Sequence, residues 1–260
     1  MKPLVWLQNT LRNRFRNGLL GKVIQQVRND KPLQTVRIVS ATRLTEKDFW
    51  RNSALGCSLK PWLNNTDISF SIEFENTNGL SHIYNLHLRE TLRPDVFIFV
   101  HDDIWLDDSE WFKKVLFALN HFDIIGVAGN TRIVPNQPAW LFSKIEDGKF
   151  VWDKGTLSGS IGHGQLRKGQ RSLYGPTPES CKLLDGAFLA IRSEVVHRSH
   201  LLFDERFKFH FYDMDFCRCA SRIGLSLGTW PIELTHQSAG AFGNPAWQEC
   251  HERYFEKWKS

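Results

Sequence analysis

The 260-residue chain has few cysteines and no long apolar run, and each absence argues against a class of protein. The five cysteines, Cys57, Cys181, Cys217, Cys219 and Cys250, are odd in number and contain no Cys-x-x-Cys pair. That pattern argues against a disulfide framework and a structural zinc site, and for a reducing compartment. Cys217 and Cys219 read as helix packing. No apolar stretch approaches the ~18 residues of a membrane-spanning helix. Leu4-Val5-Trp6-Leu7 is too short for the apolar part of a secretory leader, so a cytoplasmic location is expected. No phosphate-cradling loop with a Gly-Lys-Ser/Thr ending is present, and no His-x-His pair. The basic and aromatic strand pattern of single-strand nucleic-acid binders is also missing, so nucleic acid is not an expected partner.

Aromatic residues, by contrast, are plentiful: ten Trp and nineteen Phe, within 42% hydrophobic residues overall. One large domain with an appendage follows from that core-forming content and the length. The net charge of +5 is mild and suits a phosphate-bearing ligand or an anionic surface. Residues 1–33 stand apart. They hold seven Lys/Arg against the single acid Asp30, with apolar residues at Leu4, Leu7, Leu11, Phe15, Leu19, Val23 and Val27. Steps of three or four make one helical stripe. Such a basic amphipathic segment either lies on an anionic membrane, at its inner face, or packs on a domain or partner subunit.

From residue 34 onward the pattern is α/β. Strands are expected at 36–39, 68–74, 96–100 and 123–128, with helices at 79–93 and 109–120 between them and a helix start at Thr45. This alternation predicts a mainly parallel sheet flanked by helices. Residues 130–180 read as a long irregular stretch, with 158–164 as its most mobile loop. Order resumes at 183–192. A helix over 213–223, a strand over 225–235 and a helix over 246–258 follow.

The densest signal is His101-Asp102-Asp103, directly after the apolar run 96–100. Acids are rarely set at the end of a buried strand without a partner. Two carboxylates ~4 Å apart repel by roughly 4 kcal/mol at an effective dielectric of ~20. A divalent cation reverses that repulsion, and open α/β sheets bind ligands at strand ends. In a continuing strand Asp102 and Asp103 would face opposite sides, so both reach one ligand only if the chain turns after Val100.

Four pieces then occur in order: Ser40–Arg43, His101–Asp103, Leu184-Asp185-Gly186-Ala187-Phe188, and Tyr212-Asp213-Met214-Asp215, with His236 after them. Together they resemble the nucleotide-sugar glycosyltransferases of the GT-A fold, particularly the family 2-like bacterial enzymes of polysaccharide type. The resemblance covers about residues 34–255. It implies a Rossmann-like, mixed but mainly parallel α/β domain at 34–260. It also implies metal-dependent transfer of a sugar from a nucleotide-sugar, a UDP-sugar foremost, to a saccharide or lipid-linked glycan in surface polysaccharide synthesis.

By the same resemblance Asp103 and His236 are metal ligands for Mn²⁺ or Mg²⁺, and Asp102 is a donor contact. His101 replaces the family's first Asp. Asp213 falls at the general-base position, which implies inversion, while Tyr212 stands where the family has Glu. Ser40, Ala41, Thr42, Arg43, Glu73, Asn78 and Asn85 fall on the donor side. Asp185, Gly186, Tyr212 and Trp247 fall on the acceptor side, with Trp140 as a second platform. Asp215 is expected to pair with Arg218. A diphosphate leaving group builds negative charge as it departs, which a hard cation neutralises, and the acceptor hydroxyl needs a base. Two other classes use some of the same residues. A metal-dependent phosphoesterase would release phosphate without an acceptor. A carbohydrate-binding domain would bind sugar without metal or nucleotide.

Overall fold

The computed structural model describes residues 34–259 apart from 239 and 241. The basic segment 1–33 lies outside the described residues. The chain opens with β1 (Val36–Ala41), helices α1 (Glu46–Asn52) and α2 (Ala54–Leu59), β2 (Ile68–Glu73), helix α3 (Leu80–Leu88) and β3 (Val96–Val100). There follow β4 (Ile104–Leu106), helix α4 (Trp111–Ala118), β5 (Ile124–Gly126) and β6 (Ala128–Asn130). The middle of the chain holds β7 (Phe142–Glu146), β8 (Lys149–Trp152), β9 (Leu157–His163), β10 (Gln170–Gly175), β11 (Glu179–Cys181) and β12 (Leu183–Leu184). The last third contains β13 (Phe188–Arg192), α5 (Ser193–Ser199), α6 (Tyr212–Arg222), β14 (Leu227–Thr229), β15 (Leu234–His236) and α7 (Pro245–Trp258).

The mixed α/β architecture is the one expected, but the sheets are not mainly parallel, because antiparallel pairs equal the parallel ones in the first sheet and outnumber them in the second. A seven-stranded sheet runs in the order β11-β14-β5-β13-β3-β1-β2. The pairs β1–β2, β1–β3 and β5–β14 are parallel, and β3–β13, β5–β13 and β11–β14 are antiparallel. The alternating part of the chain builds the parallel pairs, and β13 enters antiparallel between β3 and β5. Every residue of β3 is fully buried, which is why Val96 to Val100 reads as an unbroken apolar run. The expected helix start is present: the Thr45 hydroxyl accepts from the Asp48 N–H at 3.2 Å.

Four further expectations need correction. The stretch 130–180 is not irregular: it supplies β7 to β11, and 158–164 falls largely in β9, the middle strand of a second sheet ordered β12-β6-β9-β15-β4. Its glycines serve close approach. A Cβ on Gly159, whose φ is +89°, would lie 2.0 Å from the Val127 carbonyl oxygen, and one on Gly175 would lie 1.9 Å from that of Leu157. The strand expected at 123–128 is two, because β5 joins the first sheet and β6 the second. The strand expected over 225–235 is also two. Pro231 cannot donate to a ladder, and the chain bends there between β14 and β15. Helix α3 stops at Leu88, short of 93, where Glu90 is drawn aside by His87 at 2.6 Å and by Arg37.

Candidate active site

Strand pairing gathers the functional side chains at one cavity of about 370 Å³. β3 ends at Val100 and the chain turns at once, the Ile104 N–H reaching the His101 carbonyl at 3.4 Å. The turn lets Asp102 and Asp103 line the same cavity. β15 pairs antiparallel with β4 in a register that sets His236 opposite Ile104. The Gln237 N–H then donates to the Asp103 carbonyl at 3.0 Å, and the His236 Nε2 lies 3.2 Å from the Asp103 carboxylate. On the other side β13 pairs with β3, Phe188 opposite Val100. That register carries Asp185 and Gly186 to the end of β3, where the His101 N–H donates to the Ala187 carbonyl at 3.1 Å.

Helix α6 enters from below Gly186. Its preceding residue, Phe211, is buried and holds φ at +64°, an outlier for a bulky side chain and a form of strain that clusters at functional sites. Asp213 sits in the first helical turn. Its carboxylate accepts from the Gly186 N–H at 3.0 Å and from the Met214 N–H at 2.8 Å. A Cβ on Gly186 would meet the Tyr212 hydroxyl at 2.5 Å and the Asp213 Cβ at 2.8 Å, so the approach requires glycine. Asp185 accepts from the Trp140 indole and from the Ala187 N–H, each at 2.7 Å.

Burial and the neighbouring Asp185 charge push the Asp213 carboxyl up to about 7. Burial alone would raise Asp103, but the His236 hydrogen bond and charge outweigh it and hold it near about 2. Burial opposes the charged form of His236, and Asp103 overcomes that and raises it. Burial and the His236 charge lower His101 to about 4. Asp102 is raised, by burial first, against a Thr42 hydrogen bond that favours its ionised form. One donor atom each from His101, Asp103 and His236 lies within 4.8 Å of the others, the one such trio among the described residues. Two imidazoles and a carboxylate fit a divalent ion of the first transition row.

The structure brings together many of the expected residues. Ala41, Asp102, Asp103, Asp185, Gly186, Tyr212, Asp213, His236 and Trp247 all line the cavity, with Trp140. Others lie apart from its wall. Asn85 is fully buried, its side chain exchanging hydrogen bonds with the Phe203 backbone at 2.8 and 2.9 Å. Asn78 is exposed, in a turn with Asn76. At the start of α3 the Leu80 N–H donates to the Lys208 carbonyl at 2.7 Å, so that group is taken by the protein itself. Arg43 is exposed outside the cavity wall, and Glu73 lies 3.7 Å from His87. Ser40 is buried behind Ala41, its hydroxyl without a partner. Thr42 is buried, and its hydroxyl accepts from the Leu44 N–H at 3.2 Å. Asp215 pairs with Lys257 at 2.7 Å and accepts from the Trp258 indole at 2.8 Å, while Arg218 stacks over Trp258 instead.

Sequence reasoning did not foresee the lining by Phe209, His210 and Phe211, whereas Ser238 and Phe242 fall in the 237–244 stretch after His236 that its two glycines mark as a closing loop. Ser238 had a readable signal in its place two residues after His236, whose Nε2 it contacts at 2.9 Å.

Residues 67–252, well over half of the chain, match the model of a glycosyltransferase-like family. The chain belongs to that family. No curated protein matches it. Among solved structures it is similar to GalNAc-T7 with UDP, GalNAc and Mn²⁺, at 13% identity and TM-score 0.48, over 87% of this chain and 48% of that one. The family member thus spans about half the length of that protein. It is also similar to the mannosyltransferase PcManGT from Pyrobaculum calidifontis in complex with GDP-Man and Mn²⁺, at 12% identity and TM-score 0.46, over 93% and 71% of the two chains. A third, A197 from STIV, shows 12% identity and TM-score 0.41, over 80% and 97%. No helix among the described residues is long and apolar enough to cross a membrane.

Proposed function

We propose that the protein is an inverting, metal-dependent glycosyltransferase that moves a sugar from a nucleotide-sugar, a UDP-sugar foremost, to a saccharide or lipid-linked glycan. The observation that carries the reading is Asp213. Its carboxyl is raised to about 7 in the same cavity as the His101, Asp103 and His236 trio. A base serves best when its pKa is close to the working pH. Both Asp213 oxygens are fixed by backbone N–H groups, so the carboxylate is aimed before the acceptor arrives.

In the proposed reaction the acceptor hydroxyl gives its proton to Asp213 as its oxygen bonds to the anomeric carbon. The bond from that carbon to the donor diphosphate breaks, and its electron pair leaves on the phosphate oxygen. A bound divalent cation would supply positive charge against that leaving oxygen. Attack and departure on opposite faces in one step give inversion. Asp102 is a donor contact, and Trp140 fixes Asp185 for acceptor or donor sugar. Phe209 and Phe242, the exposed aromatic residues of the cavity wall, offer apolar surface to a sugar acceptor.

Family membership supports the reaction class. Surface polysaccharide synthesis rests on the resemblance together with the basic residues 1–33, contact of that segment with the inner face of a membrane rests on its amphipathic pattern, and both are part of the same proposal. The test is transfer from labelled nucleotide-sugars to glycan acceptors, with and without EDTA, for the wild type and Asp213→Asn. Loss of transfer in both perturbations supports the mechanism. Full activity in either one sinks it. Phosphate release from simple esters without any acceptor would instead indicate a phosphoesterase.

A further inference from the structure

We propose that Tyr212 fixes the tautomer of His101, leaving its Nδ1 as the donor to the ion, and so makes the trio a transition-metal site that disfavours magnesium. The inference rests on the metal reading above and concerns how this chain builds its ligand set. The Tyr212 hydroxyl lies 2.7 Å from the Gly186 carbonyl oxygen and 2.8 Å from the His101 Nε2. A carbonyl oxygen has no proton to give, so the single proton of Tyr212 lies on the line to Gly186. The proton between Tyr212 and His101 must then come from the imidazole. Nε2 carries it, and the other ring nitrogen, Nδ1, keeps the bare lone pair.

The surroundings hold this arrangement in place. Tyr212 is almost wholly buried at the first position of α6, so water does not compete for its hydroxyl. Gly186 leaves the room that the hydroxyl fills, since a Cβ there would come within 2.5 Å of it. Phe209 stacks on the His101 ring at 5.8 Å with an interplanar angle of 24°, which limits ring rotation. A metal-bound imidazole is commonly oriented in this way by an acceptor on its second nitrogen. With His101 and His236 both present, two of three protein donors are nitrogen. Mg²⁺ prefers an all-oxygen octahedron and keeps its waters, whereas Co²⁺ and Mn²⁺ accept imidazole, Co²⁺ the more strongly.

Two measurements test the idea. Long-range ¹⁵N–¹H NMR of the metal-free wild type at neutral pH should show His101 protonated at Nε2 and bare at Nδ1. The opposite tautomer overturns the proposal. Isothermal titration with Co²⁺, Mn²⁺ and Mg²⁺ should rank them in that order for the wild type. Tyr212→Phe should weaken Co²⁺ about 10- to 100-fold while changing Mg²⁺ little. Unchanged Co²⁺ affinity in a folded Tyr212→Phe protein, or Mg²⁺ binding as tight as Co²⁺, overturns it. If the wild type binds none of the three ions, the metal reading itself fails, and the tautomer signal alone then decides whether Tyr212 orients His101.

Discussion

Replacing Asp213 with Asn should make the metal-free protein more stable and the metal-loaded protein nearly inactive. The carboxyl moves from its ordinary 3.8 to about 7 on folding. About 3 units at 1.36 kcal/mol each is on the order of 4 kcal/mol, an upper bound because one edge of Asp213 meets solvent. A raised carboxyl binds its proton more tightly in the folded chain, so the ionised form destabilises the fold. That penalty is fully present above pH 7, fades as pH falls through 7, and is gone below about 4. Asn removes it. Asn offers one acceptor oxygen where Asp213 offers two, so the Gly186 or Met214 N–H loses its partner at a cost of about 1–2 kcal/mol. The net gain at pH 8 is about 2–3 kcal/mol, or roughly 5–10 °C in Tm for a domain of this size. Thermal melts in EDTA at pH 8 and pH 5 check this, and the gap between variant and wild type should shrink at pH 5. A variant less stable than wild type at pH 8, or a gap equal at the two pH values, refutes the assignment of a raised carboxyl at 213. Transfer should fall about 10²–10⁴-fold in the same variant.

Other outcomes follow from the same geometry. The kcat/KM of the wild type should rise about tenfold per pH unit below 7 and level off above it, since the proposed reaction uses the ionised form of Asp213; a flat profile from pH 5 to 8 would contradict a base at that position. His236→Ala should abolish ion binding in titration calorimetry and lose the metal-dependent part of transfer, since it removes one of three donors. Lys257→Met should cost about 3 kcal/mol in urea unfolding, because it leaves the fully buried Asp215 carboxylate without its ammonium partner. Gly159→Ala should cost about 3 kcal/mol or more, since its Cβ would strike the Val127 carbonyl oxygen at 2.0 Å with φ at +89°.

The sequence made the ends of the site legible and its middle obscure. β3 could be read because five consecutive apolar residues mean burial on both faces, and the triplet after it marked where that burial ends. Asp213 and His236 stood out because each begins or ends a regular element. Asn85 misled because a buried Asn bonded to the Phe203 backbone carries the same letter as one that reads a ligand. β9 was hidden because its glycines, which fit the Val127 and Thr235 neighbours, also look like a loop. The partner of Asp215 could not be read locally: Arg218 is three residues away, but Lys257 arrives from a helix 42 positions on. Tyr212 could be placed at a wall, yet which atom takes its proton depends on Gly186, which only the folded register brings near.

The clasp between Asp215 and α7 has a consequence for how the protein comes into being. Among the described residues, Asp215 of α6 finds its counter-charge in Lys257 and its indole donor in Trp258, both at the far end of α7. During synthesis, which runs from the amino end, every other wall of the cavity is made before that clasp exists. A chain that has not yet made the last turn of α7 therefore holds the side chains that line the cavity and lacks the anchor for α6. The seating of α6 therefore waits on that turn of α7, although the sheets that frame the cavity come earlier in the chain.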